Sequence, residues 1–335
     1  MHYRYLGRTG LKVSQLCLGA MTFGNESDEV TSFAIMNRFY EQGGNFIDTA
    51  NVYSRGVSEE IVGKWLKSRR REVVVATKFR FPMSDTLPNE VGASRYHIMN
   101  AVEDSLRRLQ IEAIDLYQIH CWDTHTPVDE TLRALDDLVR QGKVRYLGAS
   151  NYAGWHLAKA LGVSERMGWA RFECVQPEYN LIARGIEYEV LPVCQVENIS
   201  IIAWSPLAGG FLTGKYTREA DLPAGARLSR NTASIMENTW ERRAQDRNWD
   251  ILDAVKQIAT THHVSPAQVA LAWVIAQPGI TAPIVGARNM QQFDDNLAAL
   301  NLQLSDDELD HLTALSTPEE IYPYRFIRDM GQWNR

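Results

Sequence analysis

Three short apolar runs within the first 120 residues of the sequence each end in an ionisable side chain. These side chains are Asp48, Lys78 and His120, and a phenol, Tyr53, lies five residues after the first of them in a polar loop. If the runs are parallel strands of a β/α barrel, their carboxyl ends open on one face, where such enzymes carry out chemistry. The spacing therefore predicts that the four side chains meet at one site.

These four types of side chain together have the properties needed to reduce a carbonyl group. A tyrosine hydroxyl has a pKa of about 10, but a nearby lysine ammonium stabilises the phenolate and lowers that pKa. A carboxylate keeps the lysine charged, and a neutral imidazole can donate a hydrogen bond to a carbonyl oxygen. No side chain can donate a hydride, so a nicotinamide cofactor is implied.

Each residue also has an ordinary structural explanation when it is considered alone. Asp48 would then start a turn, Lys78 would end a strand in solvent, and His120 would be a hydrogen-bonded histidine beneath a loop. For each residue considered alone, the structural explanation is favoured. The joint occurrence of the residues at the ends of neighbouring strands favours the catalytic interpretation.

The chain that must position these residues alternates β-rich runs with amphipathic segments. Eight such repeats predict a (β/α)8 TIM barrel, which typically takes about 250 residues. No G-x-G-x-x-G motif follows an early strand, which argues against a doubly wound open sheet. The predicted strands are residues 15–18, 45–48, 73–77, 114–120, 144–149, 173–176, 199–204 and 281–285. The predicted helices are residues 29–42, 59–68, 95–109, 129–141, 154–165, 186–198 and 267–276.

Three segments fall outside this repeating pattern. Residues 1–13 read as an opening hairpin, and residues 317–335 form a C-terminal tail that is rich in aromatic side chains. Residues from about 209 to 248 contain glycine, proline and several charges, and they are predicted to form a long loop after the seventh strand. None of these segments needs a hydrophobic core of its own, so residues 1–335 are predicted to form a single domain.

Composition narrows the classes of partner and location. The 335 residues are 45% hydrophobic and 23% charged, as in ordinary globular proteins. A formal net charge of -6 gives no reason to expect nucleic acid or an acidic membrane surface, and no apolar run is long enough to span a membrane. Four cysteines without a C-x-x-C motif favour reduced thiols and a cytoplasmic location. Residues 120–125 contain metal-ligand types, but no second cluster completes a site, so no metal is expected.

Six segments of the chain resemble the aldo-keto reductases, in order and over nearly the whole sequence. They are residues 46–53 (FIDTANVY), 76–78 (ATK), 119–120 (IH), 148–151 (GASN), 175–180 (VQPEYN) and 203–207 (AWSPL). The opening residues 5–14 (YLGRTGLKVS) are similar to the bacterial general-reductase and potassium-channel β-subunit branches of that family.

The resemblance implies a role for each of the four ionisable residues. Tyr53 would be the general acid and base, Lys78 would lower its pKa, Asp48 would hold the lysine, and His120 would orient the carbonyl. The implied reaction is the reversible, NADPH-dependent reduction of a small aldehyde or ketone. Phe23 and Trp122 would wall the substrate pocket, with simple packing at its rim as the alternative for both.

The resemblance also implies a binding surface for the cofactor. Residues 209–215 fit G-x-x-x-x-G-K, but Tyr216 replaces the Ser or Thr of an NTPase P-loop, so this glycine-rich loop would bind a pyrophosphate instead. Arg288, at the start of a helix, would pair with a 2′-phosphate, which favours NADPH over NADH. The chain departs from many relatives in having Gly286 and Gln292 where they have a basic residue, which counts against that preference. The residues implied are Gly19, Met21, Ser150, Asn151, Gln176, Trp204, Ser205, Leu207, Gly209, Lys215, Gly286, Arg288, Gln292 and Asn296. Of these, Ser150, Asn151 and Gln176 would bond the nicotinamide carboxamide, and Trp204 would stack on its ring.

Two other functions are compatible with the same sequence. One is an NADPH-binding barrel that senses redox state for a partner, with little turnover and an oligomeric assembly. The other is a lyase or aldolase that uses Lys78 as a Schiff-base nucleophile. That chemistry requires a largely neutral lysine, and a neighbouring Asp48 favours a charged one.

Overall fold

The computed structural model describes residues 1–218 and 240–331. Within them, eight parallel strands close into a barrel in the order β10-β3-β4-β5-β6-β7-β8-β9, and helices surround the barrel. The strands are β3 (Cys17–Gly19), β4 (Phe46–Asp48), β5 (Val74–Phe79), β6 (Ile114–Ile119), β7 (Val144–Ser150), β8 (Phe172–Gln176), β9 (Ser200–Ala203) and β10 (Ile280–Val285). The predicted (β/α)8 barrel is therefore confirmed, and all eight predicted strands are present.

An antiparallel hairpin of β1 (Tyr3–Tyr5) and β2 (Lys12–Ser14) closes one end of the barrel. Leu6 and Val13 are fully buried and join the cluster of apolar side chains inside the barrel. The amide of Gly7 donates to Ser200 Oγ at 2.6 Å, at the start of β9. Because the hairpin covers the amino-terminal ends of the strands, the carboxyl ends are left for a functional site.

Helices cover the outside of the barrel, and their apolar faces form a second, larger core against the strands. In α4, Leu132, Leu135 and Leu138 recur at a spacing of three and are fully buried. The helices are α1 (Glu29–Glu41), α2 (Val57–Leu66), α3 (Arg95–Leu109), α4 (Val128–Arg140), α5 (Gly154–Met167), α6 (Val190–Glu197), α7 (Trp240–Arg243), α8 (Asp246–His262), α9 (Pro266–Ala276), α10 (Met290–Ala298), α11 (Asp306–Ser316) and α12 (Tyr324–Met330). No helix of the described residues is long and apolar enough to span a membrane.

Two predicted boundaries need correction. The predicted helix 186–198 is broken into a 3-10 turn, Gly185–Glu187, and the helix α6. Pro192 explains the break, because its ring clashes with the carbonyl of the residue four positions earlier in a continuous helix. The strand β5 extends to Phe79, so Lys78 lies within the strand and does not follow it.

The predicted loop from about 209 to 248 is partly helical at both of its ends. It opens in short helical turns over Ala208–Thr213 that are interrupted at Gly209 and Gly210, and α8 begins at Asp246, just before the predicted end of the loop. Residues 219–239 of this segment lie outside the described residues, as does Trp333 in the tail. The rest of the tail contains the short helix α12.

Candidate active site

The structure brings the four predicted residues together at the carboxyl end of the barrel. The strands β4, β5 and β6 are neighbours, so Asp48, Lys78 and His120 lie side by side. Lys78 Nζ lies 2.5 Å from Asp48 Oδ2 and 3.1 Å from Tyr53 Oη. The rings of Tyr53 and His120 meet edge to face, with their centroids 5.7 Å apart.

Lys78 is fully buried, and its ammonium group makes three hydrogen bonds. It donates to Asp48, to Tyr53 and to the carbonyl of Thr49 at 2.9 Å. Burial alone lowers the pKa of Lys78, but the Asp48 carboxylate and the Tyr53 hydroxyl outweigh it and raise the pKa above the ordinary value of 10.5. A lysine that holds its proton this firmly is a poor Schiff-base nucleophile, which argues against a lyase.

The Asp48 carboxylate is held from its other side by two glutamines. Asp48 Oδ1 accepts from Gln118 Nε2 at 3.0 Å and from Gln176 Nε2 at 2.9 Å. Sequence reasoning missed Gln118. The signal was present, because residues two apart on a strand share a face and Gln118 precedes His120 by two positions. The two amides fix the orientation of the carboxylate toward Lys78.

A strained turn after β4 positions Tyr53. Tyr53 is the first residue of the 3-10 turn Tyr53–Gly56, in which Ser54 and Arg55 have φ of 50° and 52°. Such left-handed conformations are uncommon for residues other than glycine and cluster at functional sites. The turn is fixed to the first loop, because Ser54 Oγ donates to the carbonyl of Phe23 at 2.9 Å.

His120 is held as a neutral imidazole. Burial, followed by the charges of Lys78 and Arg80, lowers its pKa well below 6.5. Its Nδ1 atom is buried and has no hydrogen-bond partner in the described part of the chain. Phe81 packs against the ring, with centroids 4.6 Å apart. A neutral ring has one N–H group that can bond an oxygen without adding charge to the site.

The residues that the resemblance assigns to the nicotinamide lie next to this group, at the ends of β7, β8 and β9. Ser150 Oγ donates to the carbonyl of Gln176 at 2.7 Å, and Trp204 Nε1 donates to Asn151 Oδ1 at 3.1 Å. Both protons of the Gln176 amide are used, on Asp48 and on Gln118 Oε1 at 3.2 Å. Of the side-chain amide of Gln176, only the oxygen Oε1 is therefore left to accept from a ligand amide.

The segment after β9 is a series of tight turns. Ser205, Ala208, Gly209 and Gly210 all have positive φ, and Gly209 N donates to Ser205 Oγ at 3.2 Å. Leu207 is part of this turn, since its carbonyl accepts from Gly210 N at 2.9 Å. The amides of Ala208, Gly209 and Gly210 are thus all hydrogen-bonded within the turn.

Lys215 adds positive charge to this loop. A Cβ atom placed on Gly210 would lie only 2.8 Å from Lys215 Nζ, so the ammonium lies directly over the glycine backbone. The predicted loop and its lysine are therefore adjacent in the fold.

The segment after β10 is tied to the first loop by an ion pair that sequence reasoning missed. Arg288 Nε lies 2.5 Å from Glu26 Oε2. The Arg288 amide donates to Gln292 Oε1 at 3.0 Å, and Asn296 Nδ2 donates to the carbonyl of Gly286 at 3.4 Å. The predicted adenosine-end residues are thus grouped, but the guanidinium of Arg288 already has a carboxylate partner.

The first loop contributes the other predicted residues. Gly19 ends β3, where a Cβ atom would lie 2.7 Å from Ile284 Cγ2, so only glycine fits without movement. Met21 is 39% exposed beside it. Phe23 is fully buried in the outer core, which agrees with the packing alternative. Trp122 is half-buried and stacks on His156, with centroids 4.0 Å apart.

Comparison with known proteins gives consistent matches over most of the chain. The aldo/keto reductase family model matches residues 15–317. An uncharacterized oxidoreductase, YrpG, of Bacillus subtilis is 43% identical over 319 residues, covering 92% of this chain and 94% of that protein. A versiconal hemiacetal acetate reductase of Aspergillus parasiticus is 36% identical, covering 96% of this chain and 99% of that protein. A probable voltage-gated potassium channel subunit beta of Oryza sativa is also 36% identical, covering 97% and 100%.

Proposed function

The chain belongs to the aldo/keto reductase family of oxidoreductases, and on that premise we propose its reaction. It reversibly transfers a hydride from NADPH to the carbonyl carbon of a small aldehyde or ketone, with Tyr53 as general acid. One observation carries the proposal: the Lys78 ammonium contacts both Tyr53 Oη at 3.1 Å and Asp48 Oδ2 at 2.5 Å. This is the arrangement that tunes a phenol for proton transfer.

The chain's own residues supply the proton and the orientation of the substrate. Tyr53 Oη gives its proton to the carbonyl oxygen, and the Lys78 ammonium stabilises the phenolate that remains. Neutral His120 donates a hydrogen bond to the same oxygen and holds it near the phenol. Asp48, fixed by Gln118 and Gln176, keeps Lys78 charged and in place. In the reverse direction the phenolate accepts the proton of an alcohol.

The residues present fit a nicotinamide dinucleotide. The turn at Gly209 and Gly210 has no side chain to block a pyrophosphate, and the Lys215 ammonium beside it supplies a positive charge for one. Trp204 and the polar groups of Asn151 and Gln176 suit an aromatic carboxamide beside the catalytic group. When bound, the reduced nicotinamide supplies the hydride that no side chain can provide.

The first test is a titration of the purified protein with NADPH and with NADH, followed by a panel of small aldehydes and ketones. Absorbance at about 340 nm reports oxidation of the reduced cofactor. We expect tighter binding of NADPH and its steady oxidation. Tight binding without turnover would favour the redox-sensing alternative, and no binding of either cofactor would overturn the proposal.

The ion pair between Glu26 and Arg288 gives a separate prediction about cofactor preference. The Glu26 carboxylate competes with a 2′-phosphate for the guanidinium. Glu26→Gln removes that competitor, so we expect NADPH to bind about tenfold more tightly and NADH to bind as before, a change of ~1.4 kcal/mol. Equilibrium fluorescence titration with both cofactors measures the ratio of the two dissociation constants.

A matched control is Glu29→Gln, which makes the same change of charge in a nearby surface pair with Lys64. It should leave both dissociation constants unchanged. If the ratio of the two dissociation constants were the same in Glu26→Gln and in the parent protein, Arg288 would not be a ligand of the 2′-phosphate.

A further inference from the structure

A buried carboxylate, that of Glu59, lies between the barrel wall and the helices α2 and α3. Glu59 is in the first turn of α2 and is fully buried, which is rare for a glutamate unless it is paired. Its Oε2 atom accepts from Arg108 Nε of α3 at 2.7 Å, and its Oε1 atom accepts from Thr77 Oγ1 at 2.5 Å. The side chain of Arg108 is only 14% exposed. None of these three residues takes part in the proposed reaction, so the burial of the two charges needs another explanation.

Arg108 lies against the end of the turn that carries Tyr53. Gly56, the last residue of that turn, has φ of 97°, and a Cβ atom placed on it would lie 2.7 Å from Arg108 Cδ and 2.9 Å from Arg108 Nε. The side chain of Arg108 therefore packs directly on the backbone of Gly56. With Ser54 and Arg55, the turn has three successive residues of positive φ. Such a conformation persists at residues other than glycine only where the surrounding structure fixes it.

Glu59 connects this support to the strand that carries Lys78. Thr77 precedes Lys78 on β5, and successive side chains of a strand point to opposite faces. Lys78 points into the site, toward Asp48, so Thr77 points outward, where its hydroxyl bonds Glu59. The carboxylate is thus bonded both to the residue beside Lys78 and to the residue that packs on the turn.

Other side chains of the turn make different connections. Ser54 Oγ donates to the carbonyl of Phe23 in the first loop, and Arg55 forms an ion pair at the exposed surface. The Glu59–Arg108 pair differs from both, because it joins the turn to β5 and is shielded from solvent. A buried ion pair is often no more stable than apolar side chains of similar volume. Its presence here therefore favours a role in fixing geometry.

We propose that Glu59 and Arg108 are positioning residues for Tyr53. Arg108 supports the turn, Glu59 fixes Arg108 relative to β5, and together they hold Tyr53 Oη at 3.1 Å from Lys78 Nζ. The inference rests on the proposed role of Tyr53 as general acid. A displacement of about 1 Å at a reacting group lowers a rate about a hundredfold. Loss of the pair should therefore lower kcat although every group that touches the substrate is still present.

Two variants break this connection in different ways. Thr77→Val keeps the branched shape of the side chain and removes the hydroxyl that bonds Glu59. The double variant Glu59→Gln, Arg108→Met removes both charges, because Arg108→Met alone would leave a buried carboxylate without its cation and destabilise the chain. We expect both to lower kcat about tenfold or more. A role in stability alone would leave the kcat of the folded protein unchanged, and thermal unfolding sets the temperature at which each variant is folded.

The matched control for the lost hydroxyl is Thr281→Val. Thr281 is 8% exposed, and its hydroxyl lies 2.9 Å from Ser200 Oγ, near the hairpin end of the barrel. Its kcat should equal that of the parent protein. Arg108→Lys tests rescue by a conservative change, because it keeps a methylene group against Gly56 and an ammonium for Glu59. It should keep most of the parent kcat.

The deciding measurement is the 13C NMR signal of Tyr53 Cζ in the cofactor-free chain, assigned by its absence in Tyr53→Phe. This carbon is bonded to Oη, so its chemical shift changes when the contact between Oη and Lys78 changes. We expect the signal to move in Thr77→Val and in the double variant, and to keep the parent position in Thr281→Val.

An unchanged Tyr53 signal in both variants that break the connection would overturn the proposal, even if their kcat fell. An equal movement of the signal in Thr281→Val would overturn it as well, because the effect would then not depend on Glu59. The signal is measured without cofactor or substrate, so the result is separate from turnover. Failure of the parent protein to reduce any carbonyl would instead refute the proposed function.

Discussion

Tyr53→Phe is expected to lower kcat for aldehyde reduction by about two to four orders of magnitude, the usual contribution of a general acid. The substitution removes one oxygen atom and keeps the ring, so its edge-to-face contact with His120 is retained. Cofactor binding should therefore stay within about twofold of the parent protein. Single-turnover oxidation of NADPH and equilibrium binding of NADPH measure the two effects separately.

The matched control is Tyr3→Phe in the hairpin at the opposite end of the barrel. It also deletes a hydroxyl, one that donates to the carbonyl of Gly43 at 2.7 Å. We expect its kcat to equal that of the parent protein. If Tyr53→Phe kept most of the activity, the proton would have to come from another group, and His120 would be the next candidate.

The barrel and the grouping of the four candidate residues were predicted from the sequence for the same physical reason. Parallel strands place their carboxyl ends on one face, so residues that are 30 to 72 positions apart can be assigned to one site from strand order alone. Asp48, Lys78 and His120 meet as that argument requires. The contacts of Lys78 with Asp48 and Tyr53 then follow from the reach of its side chain.

What the sequence did not reveal depends on side-chain partners that no local pattern specifies. Gln118 looks like one polar residue in an apolar strand until its amide is seen 3.0 Å from Asp48. Glu26 lies 262 positions from Arg288, and nothing in either segment indicates their pairing. For Phe23 the sequence left a pocket wall and packing at its rim as alternatives, because the direction of its side chain depends on a loop whose conformation has no periodic signal.

Lys78→Met should have the largest effect on stability of any substitution in the site. The Asp48 carboxylate, 2% exposed, would lose its charged partner and keep only two neutral amide donors. Leaving a buried charge uncompensated costs about 3–5 kcal/mol. Urea unfolding at neutral pH measures this loss. In activity assays, the alkaline limb of the pH profile should shift, since the ammonium that stabilises the phenolate is gone.

The pH dependence of stability tests the same interaction with the sign fixed in advance. The pKa of Lys78 is raised in the folded state, so the folded protein binds its proton more tightly than the unfolded chain does. The resulting stabilisation is complete below the unfolded value of 10.5 and is lost as the pH rises through the folded pKa. Lys78→Met should lack this alkaline loss. If the stability of Lys78→Met fell at alkaline pH as much as that of the parent protein, the loss would come from other groups.

The double variant Asp48→Asn, Lys78→Met separates the cost of an orphaned charge from the cost of lost packing. It removes both charges from the same buried space, so most of the stability lost in Lys78→Met should return. Activity should stay low, because neither residue then acts on Tyr53. If the double variant were as unstable as Lys78→Met, the lysine would contribute through its contact with the Thr49 carbonyl and its packing, not through Asp48. If stability returned and turnover did not, the role of the Asp48–Lys78 pair would be to set the charge beside Tyr53. The protein would then keep this pair at a cost in stability relative to apolar side chains in the same space.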